Sequence, residues 1–144
     1  MLGILRYNRQ PSFTLRQINT DSEKERLKMN IPMNNSYIEV DMQILRENMA
    51  SIASTLTPGA GIIPVLKDDA YGLGLVPVAR VLEPLDCVRC FSVSHVSEGL
   101  ELRRGGISKG ILVMNSALPF QLEAAVEAGL SLACGRPGFV TELQ

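Results

Sequence analysis

A lysine at the end of an apolar run is the side chain in this sequence best suited to covalent chemistry. Ile62-Ile63-Pro64-Val65-Leu66 leads directly into Lys67, and Asp68-Asp69-Ala70-Tyr71-Gly72-Leu73-Gly74 follows. An amine at a buried strand end is partly desolvated, which disfavours its charged form and frees a nucleophile for attack on a carbonyl. Tyr71, four residues on, offers a hydroxyl donor, and Gly72 and Gly74 permit a tight turn near a ligand. Position alone leaves a blander reading open, in which Lys67 is a surface lysine at a loop entrance and Tyr71 packs in the core.

Other reactive residue types carry less. Cys87 and Cys90 form a Cys-x-x-Cys pair, the spacing of half a zinc site or of a redox pair. Zinc would need two further ligands, and only Cys134 and His95 remain, neither in a second paired motif. No metal is expected, and the cysteines read as buried or partly buried thiols in a reducing compartment. His95 follows an apolar strand, on the rim where a site would lie, but reads more simply as a helix-start residue. Arg136 stands on the same rim and suits a carboxylate or phosphate, although Arg136-Pro137-Gly138 also reads as a turn.

The elements that must position these groups alternate regularly. Tyr37-Ile38-Glu39-Val40 reads as a strand. Asp41 is suited to cap a helix from Met42 to Leu56, whose apolar stripe includes Ile44, Leu45, Met49 and Ile52, with Pro58-Gly59 closing it. The run 62–66 reads as a strand covered on both faces, with Pro64 marking an irregular point because it cannot donate to a ladder. Helices are expected at Val76 to Leu85, Val96 to Arg104 and Pro119 to Ala128. Strands are expected at Cys90 to Val93, Ile111 to Met114 and Ser131 to Cys134, with a further helix starting from Arg136.

Apolar strands and helices repeating every 20–25 residues or so are the pattern of βα units and a parallel sheet. A doubly wound nucleotide fold would favour Gly-x-Gly-x-x-Gly after the first strand, but Pro77 stands where the third glycine would be. The expected fold is therefore α/β, a partial (β/α)8 TIM-type barrel of which the chain supplies about the first half, since a complete barrel takes roughly 250 residues. Residues 1–36 are polar and read as a flexible N-terminal extension, and residues 37–144 as the truncated barrel. A formal charge of −1 offers no reason to expect nucleic acid or an anionic membrane as partner. With no apolar run of the roughly 18 residues a membrane helix needs and no signal peptide, a cytoplasmic protein is expected.

The motif Lys67-x-Asp69-Ala70-Tyr71-Gly72-x-Gly74 after an apolar strand resembles the attachment signature for pyridoxal 5'-phosphate (PLP) in the alanine racemase family. Tyr37-Ile38-Glu39-Val40-Asp41 with a helix containing Asn48 resembles that family's opening segment. Ser97-Glu98-Gly99-Leu100-Glu101-Leu102-Arg103, then Gly106-Ile107 before Ile111-Leu112-Val113, resembles its next βαβ step. The resemblance implies a Schiff-base role for Lys67, a hydrogen bond from Tyr71 to the cofactor phosphate, and interconversion of L-alanine and D-alanine, which supplies cell-wall peptidoglycan. It also implies homodimers in which a tyrosine from the partner subunit's β-rich domain moves the second proton. That tyrosine and the arginine that meets the pyridine nitrogen lie beyond the matching part, so the chain alone is expected to be a fragment with little or no racemase activity. The family usually has histidine where Leu73 stands, and a different pattern near Asp68-Asp69. A racemase of serine or another small amino acid, a non-catalytic PLP-binding protein and a non-functional truncated reading frame remain as alternatives.

Overall fold

The computed structural model describes residues 40–135 and 138–142. The polar extension read at 1–36, all but Val40 of the strand read at 37–40, and Arg136 lie outside the described residues. The chain divides into two units after Ser54.

The described part of the first unit is helix α1, Met42–Ser54. Its start is chemical: Asp41 Oδ1 accepts the Gln43 N–H at 2.9 Å and the Ile44 N–H at 3.2 Å, taking up donors that have no partner within the helix. Met42 and Met49, two turns apart, are its buried residues, with Leu45 half-buried between them. Ile44 is exposed, contrary to the expected stripe, because two residues turn it about 200° from Met42. Ile52, in the last turn, is exposed as well.

The second unit is built of βα steps. Its elements are α2 (Leu75–Leu82), β1 (Cys90–Val93), α3 (Val96–Arg104), β2 (Gly110–Val113), a 3-10 turn (Pro119–Gln121), α4 (Leu122–Glu127), β3 (Ser131–Leu132) and the short helix α5 (Phe139–Glu142). β1, β2 and β3 form a parallel sheet in that order, with Phe91 beside Ile111 and Val113 beside Leu132. The segment 62–66 lies along the outer side of β1 through parallel bridges at Ile62–Val88 and Val65–Ser92. Strand neighbours therefore follow sequence order without the reversal that defines a doubly wound sheet, as in the wall of a (β/α)8 barrel.

Segment 62–66 is two bridges rather than the continuous strand expected, and Pro64 is the reason. Between the bridges β1 advances four residues while this segment advances three. Pro64 sits in the gap: it has no N–H to offer, and its carbonyl accepts from Ser92 at 2.9 Å. Elsewhere the differences lie at element ends. α2 stops at Leu82, two residues before Pro84, and the helix read from Pro119 opens as a 3-10 turn before α4.

Residues that alternate along parallel strands face opposite sides of the sheet. Phe91, Val93, Ile111 and Val113 share one side and are buried. Helices α2, α3 and α4 contribute Leu75, Val78, Ala79, Leu82, Val96, Leu102, Leu122 and Ala125 to the same core. Gly99 lets α3 come close: a Cβ there would stand 2.8 Å from Leu130 Cδ1. The opposite side carries Ile63 at 48%, Val65 at 39% and Met114 at 39% exposure. Ser92 belongs to that side, and its buried hydroxyl finds no hydrogen-bond partner among the described residues.

Charged side chains tie the loops at the N-terminal ends of the strands. Arg103 donates to the carbonyls of Ala128, Ile107, Lys109 and Gly129 at 2.7–3.2 Å. Glu83 Oε1 accepts the Ser108 N–H at 2.6 Å, the Ser108 hydroxyl at 2.9 Å and the Lys109 N–H at 3.0 Å. Lys109 Nζ in turn donates to the carbonyls of Leu85 and Val88. In a barrel this end serves stability, while chemistry belongs to the other end. None of the described helices is long and apolar enough to cross a membrane.

Candidate functional site

At the C-terminal end of segment 62–66 the backbone reverses its hand. Leu66 has φ −115° and ψ 16°, and the turn Lys67–Gly72 follows. Asp68, Asp69, Ala70 and Tyr71 all have φ between 52° and 57°, with ψ between 36° and 50°. These four residues form one turn of left-handed helix, a conformation that costs L-residues about 1–2 kcal/mol each. Aspartate tolerates it better than alanine or tyrosine. Gly72 and Gly74, at φ 82° and 94°, carry the chain out of the turn into α2.

Such strain persists where the surroundings over-determine it, and these outliers concentrate at functional sites. Inside the turn, the Ala70 N–H donates to the Leu66 carbonyl at 2.9 Å, and Ala70 is buried at 3% exposure. On the α2 side, Asp69 Oδ1 accepts the Leu75 N–H at 2.7 Å, and the Asp69 carbonyl accepts the Gly74 N–H at 2.9 Å. On the α3 side, Glu98 Oε1 accepts the Asp68 N–H at 2.7 Å. Glu98 Oε2 takes the N–H groups of Ser94 and His95, each at 2.9 Å, where β1 passes into α3.

Lys67 and Tyr71 stand on this turn four residues apart. Their side chains come near one another across it. Lys67 Nζ lies 5.9 Å from the centre of the Tyr71 ring and 3.8 Å from Asp68 Oδ2. The Lys67 side chain is 38% exposed and Tyr71 is 63% exposed, so amine and phenol are both open to a ligand. A core-packing reading of Tyr71 does not fit that exposure. The arrangement offers a nucleophilic amine and a hydroxyl donor on one rigid turn.

The other candidates fall elsewhere. His95 is the N-cap residue of α3 with extended backbone, φ −122° and ψ 152°, as its helix-start reading expects. Cys87 and Cys90 lie at the opposite end of β1 from the lysine turn. No three His, Cys, Asp or Glu side chains among the described residues gather around a metal-sized space. Arg136 is outside the described residues. The bracing roles of Glu98 and Asp69 do not show in residue type and spacing around the lysine motif. Glu98 carried a usable signal, since glutamate at the third position of a helix commonly reaches back to the N-cap N–H. Its bond to Asp68, thirty residues away in sequence, carried none.

A family profile described as alanine racemase, N-terminal domain, matches residues 40–144. The alanine racemase of Geobacter sulfurreducens is 40% identical over 95 residues, covering 66% of this chain and 25% of that protein. That of Aquifex aeolicus is 37% identical over 86 residues, covering 60% of this chain and 25% of that protein. The chain thus spans about a quarter of the length of these curated relatives. Among solved structures, alanine racemase of Clostridium difficile 630 superposes with a TM-score of 0.65 at 30% identity, over 69% of this chain and 26% of that one. The Bacillus anthracis alanine racemase with bound L-Ala-P gives 0.66 at 30% identity, over 72% of this chain and 26% of that one. Parallel strands in sequence order, helices on one face and these superpositions identify a partial (β/α)8 barrel. The match over residues 40–144 and the 40% identity to a curated relative establish that this chain belongs to the alanine racemase family, through that family's N-terminal domain.

Proposed function

We propose that this chain provides the cofactor-bearing part of a PLP-dependent racemase that interconverts L-alanine and D-alanine, with Lys67 and Tyr71 as the cofactor-holding residues. The observation that carries the proposal is the pairing of the Lys67 amine and the Tyr71 phenol, 5.9 Å apart from nitrogen to ring centre, on the left-handed turn at a strand's C-terminal end. The residues present fit PLP: the amine suits its aldehyde, and the exposed phenol offers a hydroxyl to its phosphate. When bound, PLP supplies an electron sink that acidifies the substrate Cα–H. Lys67 Nζ would hold the cofactor covalently and, once freed by substrate, would move a proton at Cα on its own side. Tyr71 would orient the cofactor through its phosphate end.

The substrate assignment rests on the relatives. One C. difficile structure is a complex with cycloserine, and the B. anthracis structure holds L-Ala-P. A small amino acid is the matching substrate class here, and D-alanine for peptidoglycan is the corresponding product. By the family resemblance, the group that serves the opposite face of Cα comes from a second domain across a homodimer, outside these 144 residues.

One experiment with two readouts tests the proposal. Purified chain is mixed with PLP and L-alanine. We expect a PLP absorbance band near the visible edge that is lost in Lys67→Ala, and little or no D-alanine. A band that survives Lys67→Ala would refute the lysine assignment, and robust D-alanine formation would refute the view that these residues lack half of the proton-transfer pair.

A further inference from the structure

The left-handed turn sets where Lys67 and Tyr71 stand, yet its own sequence does not prefer that shape. Ala70 and Tyr71 have no side-chain means of stabilising positive φ, and neither is glycine. The turn must therefore be held by its surroundings. Most of its ties are local: Leu66 to Ala70, Ala70 to Leu73, Asp69 to Gly74 and Asp69 to Leu75. The Asp68 N–H at its head instead goes to Glu98, on the next βα unit, at 2.7 Å. The second oxygen of the same carboxylate holds the Ser94 and His95 N–H groups at the end of β1.

We infer that Glu98 is a positioning residue for the lysine site: its carboxylate fixes the hand of the turn that presents Lys67 and Tyr71. The geometry divides the work between the two oxygens. Oε1 serves the lysine turn and Oε2 serves the start of α3, so one charged group locks two consecutive βα loops in register. Charge-assisted bonds of this kind are roughly twice as strong as neutral ones. Glutamine has one acceptor oxygen and presents an NH2 in place of the other, so it would confront N–H donors at one of the two ends. Aspartate keeps both oxygens but is one methylene shorter, so it reaches one end at the expense of the other.

The inference rests on the cofactor reading only for its chemical consequence, and the test separates the two. Wild-type chain, Glu98→Gln, Glu98→Asp and a control, Gln121→Ala, are compared. Gln121 Oε1 accepts the Leu118 N–H at 3.0 Å, a comparable cap two strands away that touches neither Lys67 nor its turn. Hydrogen exchange of the peptide spanning 67–75 is followed without cofactor. We expect it to rise about tenfold in Glu98→Gln and less in Glu98→Asp, and to stay unchanged in Gln121→Ala. With PLP added, borohydride reduction and peptide mapping measure the amine–aldehyde adduct at Lys67, which forms with loss of one water. Its rate should fall about tenfold in Glu98→Gln at matched folded fraction, and stay unchanged in Gln121→Ala.

Equal exchange of 67–75 in wild type and Glu98→Gln overturns the inference, as does a slowing matched by the Gln121 control. If Glu98→Gln does not fold, Glu98→Asp decides by the same exchange comparison. Absence of a Lys67 adduct in the wild type would sink the cofactor reading, while the exchange data still decide the role of Glu98.

Discussion

Ala70 shows how closely the site depends on single residues. It occupies positive φ, donates to Leu66 and is buried in the turn between Lys67 and Tyr71. A β-branched side chain there meets two penalties at once, the left-handed backbone and an already filled space. Ala70→Val should destabilise the chain by about 2–4 kcal/mol in a urea titration and abolish PLP attachment. Wild-type stability in that variant would mean the turn relaxes without loss, and its strain would then have no bearing on the site. Residue type and the surrounding motif single out Lys67 and Tyr71 as candidates. Their approach to 5.9 Å is not legible there, because it depends on the positive-φ turn from Asp68 to Tyr71, which sequence patterns do not encode.

Among the elements, the N-terminal strand loops are cross-linked by side chains that take no part in the proposed chemistry. Burial would raise the Glu83 carboxyl, but hydrogen bonds from the Lys109 and Ser108 N–H groups and the Ser108 hydroxyl, with the Lys109 charge, outweigh it and hold Glu83 below its ordinary 4.5. Its ionised form therefore favours the folded state. That contribution is complete above the unfolded value and is lost as pH falls through the lowered folded value. In urea titrations the gap between wild type and Glu83→Gln should stay constant above about pH 5 and shrink with further acidification. A gap that widens on acidification would mean the carboxyl is raised instead. Helix α3 is legible to both ends, because His95 starts it and Gly105-Gly106 stops it. Segment 62–66 has the apolar pattern of a strand, but that pattern reflects burial and does not show how far a proline interrupts the ladder.

For the molecule as a whole, the two faces of the sheet differ in kind. Among the described residues, one packs against α2, α3 and α4, while the other carries the exposed side chains of Ile63, Val65 and Met114. Exposed apolar side chains on a folded chain offer sites for a hydrophobic probe. A hydrophobic dye such as ANS should therefore fluoresce with the folded chain, and the double change Val65→Asn with Met114→Asn should remove roughly half of that signal without changing the helical circular dichroism. Undiminished fluorescence would place the apolar surface elsewhere, for instance at Phe120, which is 80% exposed. The chain covers about a quarter of its curated relatives' length, so the racemase reaction is proposed from its family and its lysine turn together.

By itself, the sequence determined the alternation of apolar strands and amphipathic helices, the caps and glycines that bound them, and the motif that singles out Lys67 and Tyr71. These are local properties, set by side-chain period, hydrogen-bonding capacity and backbone freedom over a few residues. Tertiary structure decided the left-handed hand of the lysine turn, the reach of Glu98 from one βα unit to the next, and the offset ladder around Pro64. The Glu98 tie and the offset ladder join partners about thirty residues apart in sequence, where strand pairing brings together groups that no local pattern relates.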